Sequence, residues 1–228
     1  NRLPCIENAW LYISEGIIDG FGPMETSPYK EDVPLGTEII DATGKCVFPS
    51  FCDCHTHIVY AGSREKEFVD KIRGLSYREI AARGGGILNS ARLIHQTSEE
   101  ELYRQSLVRA REMIGFGTGA VEIKSGYGLN VEDELKMLRV IRRIGEETPL
   151  AVKATFMGAH AVPSAYKGRQ DAYVDLIVQE MIPRVAAEGL AQYADVFCET
   201  GFFTVKDTER IFTAALKHGL RPKVHANQ

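Results

Sequence analysis

From Lys45 onward, short apolar runs rich in β-branched residues alternate with longer stretches of helical period. That alternation predicts a parallel sheet covered by helices, because strands buried on both faces read as near-continuous apolar runs. Strands are expected at 47–55, 119–123, 150–156, 194–198 and 222–225, and helices at 64–72, 77–83, 98–116, 132–146, 171–187 and 205–218. Several helices carry start or stop chemistry. Asn130 precedes Glu132, Asp133 and Glu134, Thr204 and Asp207 match a capping box, and Gly219 stands where a helix C′ glycine belongs. The first 45 residues differ in texture. Trp10-Leu11-Tyr12-Ile13 and Ile17-Ile18 flank Ser14-Glu15-Gly16 and predict a β-hairpin, a proline-rich loop follows, and Thr37 to Asp41 returns to strand character.

The parallel sheet could be open or closed. An open dinucleotide-binding sheet would place a glycine-rich turn after its first strand, and here that place holds His55-Thr56-His57. Gly84-Gly85-Gly86 follows a predicted helix, so a substrate-facing loop or a helix stop suits it better than a phosphate cradle.

Composition narrows the classes of function. The 228 residues are 44% hydrophobic and 25% charged, with 27 Lys+Arg against 31 Asp+Glu for a net charge of −4. Disorder, a disulfide scaffold and a basic nucleic-acid-binding face are all excluded, which leaves small molecules as the expected partners. An odd number of cysteines, five, without an apolar signal segment suits a reducing cytoplasm, and no apolar run is long enough to span a bilayer.

Chemistry concentrates at predicted strand ends. His55 and His57 are two residues apart at the end of the first parallel strand, so both imidazoles face one side and can meet one metal ion. His160 follows the third strand and His225 ends the fifth, repeating the strand-end placement of barrel enzymes. Lone histidines would be read as polar core residues, but this repetition favours a divalent-metal site. A thiolate site on Cys52 and Cys54 would use the opposite face of the strand. Those two cysteines are expected to be small buried hydrophobes.

The hairpin, the string IIDATGKCVFPSFCDCHTH and the later strand-end histidine together resemble the amidohydrolase superfamily. Within it, YAGSREKEF (60–68), YREIAARGGGIL (77–88), VEIKSGYGL (121–129), ELKMLRVIRRI (134–144), FMGAHAVP (156–163) and DVFCETGFF (195–203) resemble the imidazolonepropionase family of histidine degradation. The resemblance implies an α/β fold: residues 1–45 form part of a small β-sandwich domain, and 46–228 the N-terminal part of a (β/α)8 TIM-like barrel, strands one to five. It also implies hydrolysis of the cyclic amide 4-imidazolone-5-propanoate to N-formimidoyl-L-glutamate by metal-activated water.

The same resemblance assigns residues. One zinc or iron ion would be held by His55, His57, His225 and an Asp after the eighth strand, beyond Gln228. Arg64, Tyr127 and His160 would bind substrate: Arg64 can grip the propanoate carboxylate bidentately, Tyr127 can add a neutral hydrogen bond, and His160 can bond the ring or the developing oxyanion. Some family members have Glu where Gln228 stands. A neutral amide cannot remove a proton, so Gln228 is assigned to orienting substrate or water. Lys124, although it ends the second strand, is read as a salt-bridging or positioning residue and not as a carbamylated bridge. A homodimer is left open. Two alternatives stand beside this reading: another amidohydrolase such as an aromatic-ring deaminase, against which the carboxylate-binding Arg64 and Tyr127 argue, and a non-catalytic α/β module with structural metal. Since a complete barrel takes about 250 residues, these 228 are expected to be part of a longer polypeptide, insoluble or molten when expressed alone.

Overall fold

Two units make up the computed structural model, residues 1–48 and 49–228, and the residues it describes are 4–29, 32–63, 65–76, 79 and 86–226. In the first unit, β1 (Ala9–Ser14) and β2 (Ile17–Pro23) pair antiparallel. The two residues between them, Glu15 and Gly16, both have positive φ, as a type I′ turn demands of a hairpin with right-handed twist. Gly20 and Gly22 leave room for the Trp10 ring: a Cβ at Gly20 would lie 2.9 Å from it. The strand expected at residues 37–41 does not form. Ile39 and Ile40 are exposed, and the segment has no strand partner among the described residues.

The second unit holds five parallel strands, β3 (Phe51–Thr56), β4 (Thr118–Lys124), β5 (Ala151–Ala159), β6 (Tyr193–Phe197) and β7 (Arg221–His225). Their spatial order is their chain order, with no reversal. A doubly wound sheet must reverse its order to cover both faces, whereas a sheet that adds each strand beside the last curls into a barrel. The sheet is a curled half barrel, as the sequence predicts.

Helices fill the connections: α1 (Glu65–Ile72), α2 (Ile87–Gln96), α3 (Glu99–Gly115) and α4 (Val131–Glu147). After β5 come α5 (Gln170–Leu176), a π-helical turn (Ile177–Met181) and α6 (Ile182–Ala187), then α7 (Val205–Lys217). The sequence pattern predicts one helix where α5, the π turn and α6 stand. Pro183 has no N–H to give the preceding turn and its ring crowds the carbonyl four residues back, which accounts for the widened turn in the middle. Helix α2 was not anticipated: its N-cap, Gly86, offers no side-chain cap, although Ile87, Ser90 and Ile94 form its buried stripe. The helix expected at 77–83 falls outside the described residues, apart from Glu79, and so do Gly84 and Gly85. In α4, Leu135, Leu138, Ile141 and Ile144 recur at helical spacing and are buried in the main core. Each such side chain contributes roughly 1.5–3 kcal/mol by leaving water. No helix among the described residues is long and apolar enough to cross a membrane.

Capping follows the sequence closely. Ser98 and Asn130 accept from the N3 amides of α3 and α4. At α7 the capping box is complete: the Thr204 hydroxyl accepts from Asp207 N (3.1 Å), and Asp207 Oδ2 accepts from Thr204 N (3.0 Å) and from Gln170 Nε2 (2.8 Å). Thr204→Ala should cost about 1–2 kcal/mol in urea unfolding. Burial raises the Asp207 carboxyl pKa, but the Thr204 and Gln170 hydrogen bonds outweigh it and leave the group below its ordinary value. Its stabilisation is therefore full above the unfolded carboxylate pKa and lost as pH falls through the folded one. The gap between variant and parent should narrow over that acid range.

Candidate metal and substrate site

The carboxyl ends of β3 and β7 bring His55, His57 and His225 together. One ligand nitrogen from each lies within 4.8 Å of the others. Ring centroids of His55 and His225 are 4.2 Å apart, and those of His55 and His57 5.7 Å. The period-2 spacing of the first two and the end of the fifth parallel strand thus meet at one point. His160, immediately beyond β5, stacks on His57 at 5.1 Å, and Tyr127, in the loop after β4, lies 5.5 Å from His57 and 5.2 Å from His160. These five residues, with Phe197, line one pocket.

The imidazoles are held in the form a cation needs. Burial, helped by the neighbouring histidines and Lys124, pushes the His57 pKa down to about 3, so the ring is neutral at physiological pH. His55 is lowered by the same kinds of cause, burial first. His57 Nδ1 is buried and has no hydrogen-bond partner among the described residues. A buried polar atom without a partner is costly unless something absent from the protein chain engages it. His225 Nδ1 meets Asp195 Oδ2 at 2.8 Å, and a carboxylate only accepts, so Nδ1 carries the proton and Nε2 offers its lone pair. By these tests the three histidines fit a bound cation.

Behind them lies a buried charge network. Lys124 Nζ donates to Glu122 Oε1 at 2.6 Å and to Asp195 Oδ2 at 2.7 Å, with all three side chains at most 5% exposed. Thr155 Oγ1 also donates to Glu122, and Lys223 Nζ lies 3.2 Å from it. Burial raises the Asp195 carboxyl, yet hydrogen bonds from His225 and Lys124 prevail and bring it to about 2. Lys124 is salt-bridged, as expected. Its two carboxylate partners were not anticipated, although charged residues inside apolar strands were the available signal.

His160 Nδ1 lies 2.9 Å from the Gly126 carbonyl, which can only accept. Nδ1 therefore holds the proton and a neutral His160 presents Nε2 as an acceptor; it donates to an oxyanion only once protonated there. Arg64 and Gln228 lie outside the described residues. Cys52 and Cys54 are exposed, not buried. Their strand pairs only with β4 among the described residues, and its positions from Phe51 to His55 are all exposed.

A curled parallel sheet with histidines gathered at its strand ends defines a half barrel with a candidate metal site on one rim. A 5-methylcytosine deaminase from Klebsiella pneumoniae, solved with 5-fluorocytosine, superposes with a TM-score of 0.62 over 94% of this chain and 47% of its own, at 15% identity, a likeness of fold alone. No family model matches the chain. Over its whole length, however, the chain is related to imidazolonepropionases. It is 58% identical over 227 residues to that of Christiangramia forsetii and 56% over 228 to that of Flavobacterium johnsoniae, covering 100% of this chain and 54% of each. The enzyme of Brevibacillus brevis is 44% identical over 229 residues with the same coverage. The chain thus spans about half the length of the curated relatives it matches.

Proposed function

We propose that this chain forms the cation-binding and substrate-binding half of an enzyme that hydrolyses 4-imidazolone-5-propanoate to N-formimidoyl-L-glutamate. One observation carries the reading: three imidazoles with convergent nitrogens share a pocket with Tyr127 and His160, in a chain 42–58% identical to curated imidazolonepropionases. The deaminase alternative rests on a 15% likeness of fold and has no feature of the pocket in its favour.

His55, His57 and His225 would hold one zinc or iron ion, which when bound supplies Lewis acidity and makes water nucleophilic near neutral pH. Arg64 grips the propanoate carboxylate and Tyr127 donates its hydroxyl proton to it, fixing the ring over His160. His160 Nε2 accepts a ring N–H. Once protonated, it donates to the ring carbonyl oxygen as that oxygen gains charge. Gln228 orients substrate or water. Water adds to the ring carbonyl and gives up a proton, and the ring C–N bond breaks as the leaving nitrogen takes a proton, which leaves the new carboxylate and the formimidoyl group. A cytoplasmic location is part of the reading, supported by five free cysteines.

The test is loss of imidazolone propanoate absorbance by the complete enzyme that carries this half, loaded with zinc or with iron, alongside cytosine as a deaminase substrate. Turnover of the imidazolone is expected. Tyr127→Phe should raise KM about tenfold with little change in kcat. Ammonia release from cytosine with an inert imidazolone would overturn the assignment.

A further inference from the structure

We propose that Glu134 is the positioning residue that presents Tyr127 to the substrate, by clamping the loop from Ser125 to Leu129. The inference rests on the role given to Tyr127 above. Glu134 stands in the first turns of α4 and is wholly buried. Side chains of a helix lean toward its N-terminus, and this one reaches back into the loop that carries Tyr127. Its Oε1 accepts from Gly128 N (2.8 Å) and Leu129 N (2.9 Å), and its Oε2 from Gly126 N (3.0 Å). The Ser125 hydroxyl, which accepts from Met157 N at 2.9 Å, favours the ionised form of the same carboxylate. Three backbone donors thus converge on a group that, ionised, only accepts, and they offset part of the burial that raises its pKa.

The clamped loop would not keep this shape unaided. Leu129 has φ +55°, a left-handed conformation that side chains seldom adopt. Gly126 has φ +110°, and a Cβ there would lie 2.9 Å from His160 Nδ1 and 3.0 Å from Met157 O. A Cβ on Gly128 would lie 2.4 Å from Glu134 N, so the loop sits directly on the start of α4. Tyr127 is held between these two glycines. Gly126 also links the clamp to His160, since its N–H goes to Glu134 while its carbonyl accepts from His160 Nδ1. One carboxylate therefore fixes the approach of Tyr127 and, through one further residue, the tautomer of His160.

The test uses the protein with Glu134→Gln, which keeps the shape but turns one acceptor into an N–H donor facing another donor, and Glu134→Asp, which keeps the charge one methylene short. Amide hydrogen exchange at Gly126, Gly128 and Leu129, without substrate, is expected to quicken at least about tenfold in the Gln variant. With imidazolone propanoate, Glu134→Gln should raise KM by up to about tenfold, the loss expected of Tyr127→Phe. That KM effect should largely vanish in a Tyr127→Phe background, while any kcat effect transmitted through His160 persists. A residue that merely stabilises α4 would lower thermal stability and leave KM losses additive with Tyr127→Phe. Additive KM losses, or loop exchange equal to the parent in both variants, would overturn the proposal. If the Gln variant does not fold, the Asp variant carries both measurements. If the parent does not turn over imidazolone propanoate, the functional reading fails, and the exchange data still decide whether Glu134 holds the loop.

Discussion

His55→Ala is expected to remove bound cation and hydrolysis together. The histidines come from two strands at opposite edges of the described sheet, and each contributes one nitrogen within 4.8 Å of the others. Removing one leaves two imidazoles from this chain, too few to hold a catalytic ion that also keeps a position open for water. Even the loss of a group that only supports a ligand costs about 10–100-fold in affinity or activity, so losing a ligand should exceed that range. The fold should survive, because His55 is exposed and lies outside the hydrophobic core. Cation content by elemental analysis, turnover and circular dichroism on the same sample would read all three. A variant with full cation content and no activity would remove His55 from the ligand set.

What the sequence disclosed was local chemistry, and what it hid was chemistry between distant residues. The pair His55 and His57 needs only strand period and neighbourhood, and Thr204 with Asp207 needs only a three-residue spacing, so both are directly legible. Even His225 is legible, because parallel strands in chain order put all their carboxyl ends on one rim. Asp195 is not. Its meaning comes from Lys124, 71 residues earlier, and from His225, 30 residues later, and nothing in the run Ala194-Asp195-Val196 announces either. Glu134 reads as one more acid in the first turn of a helix; only the loop folded onto it makes it the acceptor of three backbone hydrogen bonds. The mistaken expectations have the same origin. Burial of Cys52 and Cys54 is expected because cysteine usually is buried, and a strand at Ile39-Ile40 because β-branched pairs favour one. Both inferences need a covering or pairing partner, which no local pattern supplies.

Asp195 carries the second large effect. Its Oδ2 takes a hydrogen bond from His225 Nδ1 and another from Lys124 Nζ, with the carboxylate side chain 2% exposed. Asparagine keeps the shape but loses the charge, and its single carbonyl oxygen must serve two donors while its amide adds a third. Lys124 keeps Glu122, yet one carboxylate now offsets it where two did before. Breaking a buried ion pair by removing one partner costs about 3–5 kcal/mol, and the remaining Glu122 contact should bring Asp195→Asn to the lower end. The imidazole of His225 also loses its charged acceptor and is left a neutral carbonyl oxygen shared with Lys124, so cation affinity should fall about 10–100-fold. Adding Lys124→Met separates the two effects, because it removes the under-compensated charge, leaves Glu122 with Thr155 and Lys223, and returns no carboxylate to His225. Unfolding of the cation-free protein should show the double variant recovering much of the lost stability, while calorimetric zinc binding stays as weak as in Asp195→Asn alone. Recovery of both together would mean that Asp195 acts on the cation only by keeping the protein folded, and unchanged zinc affinity in the single variant would detach it from His225 altogether.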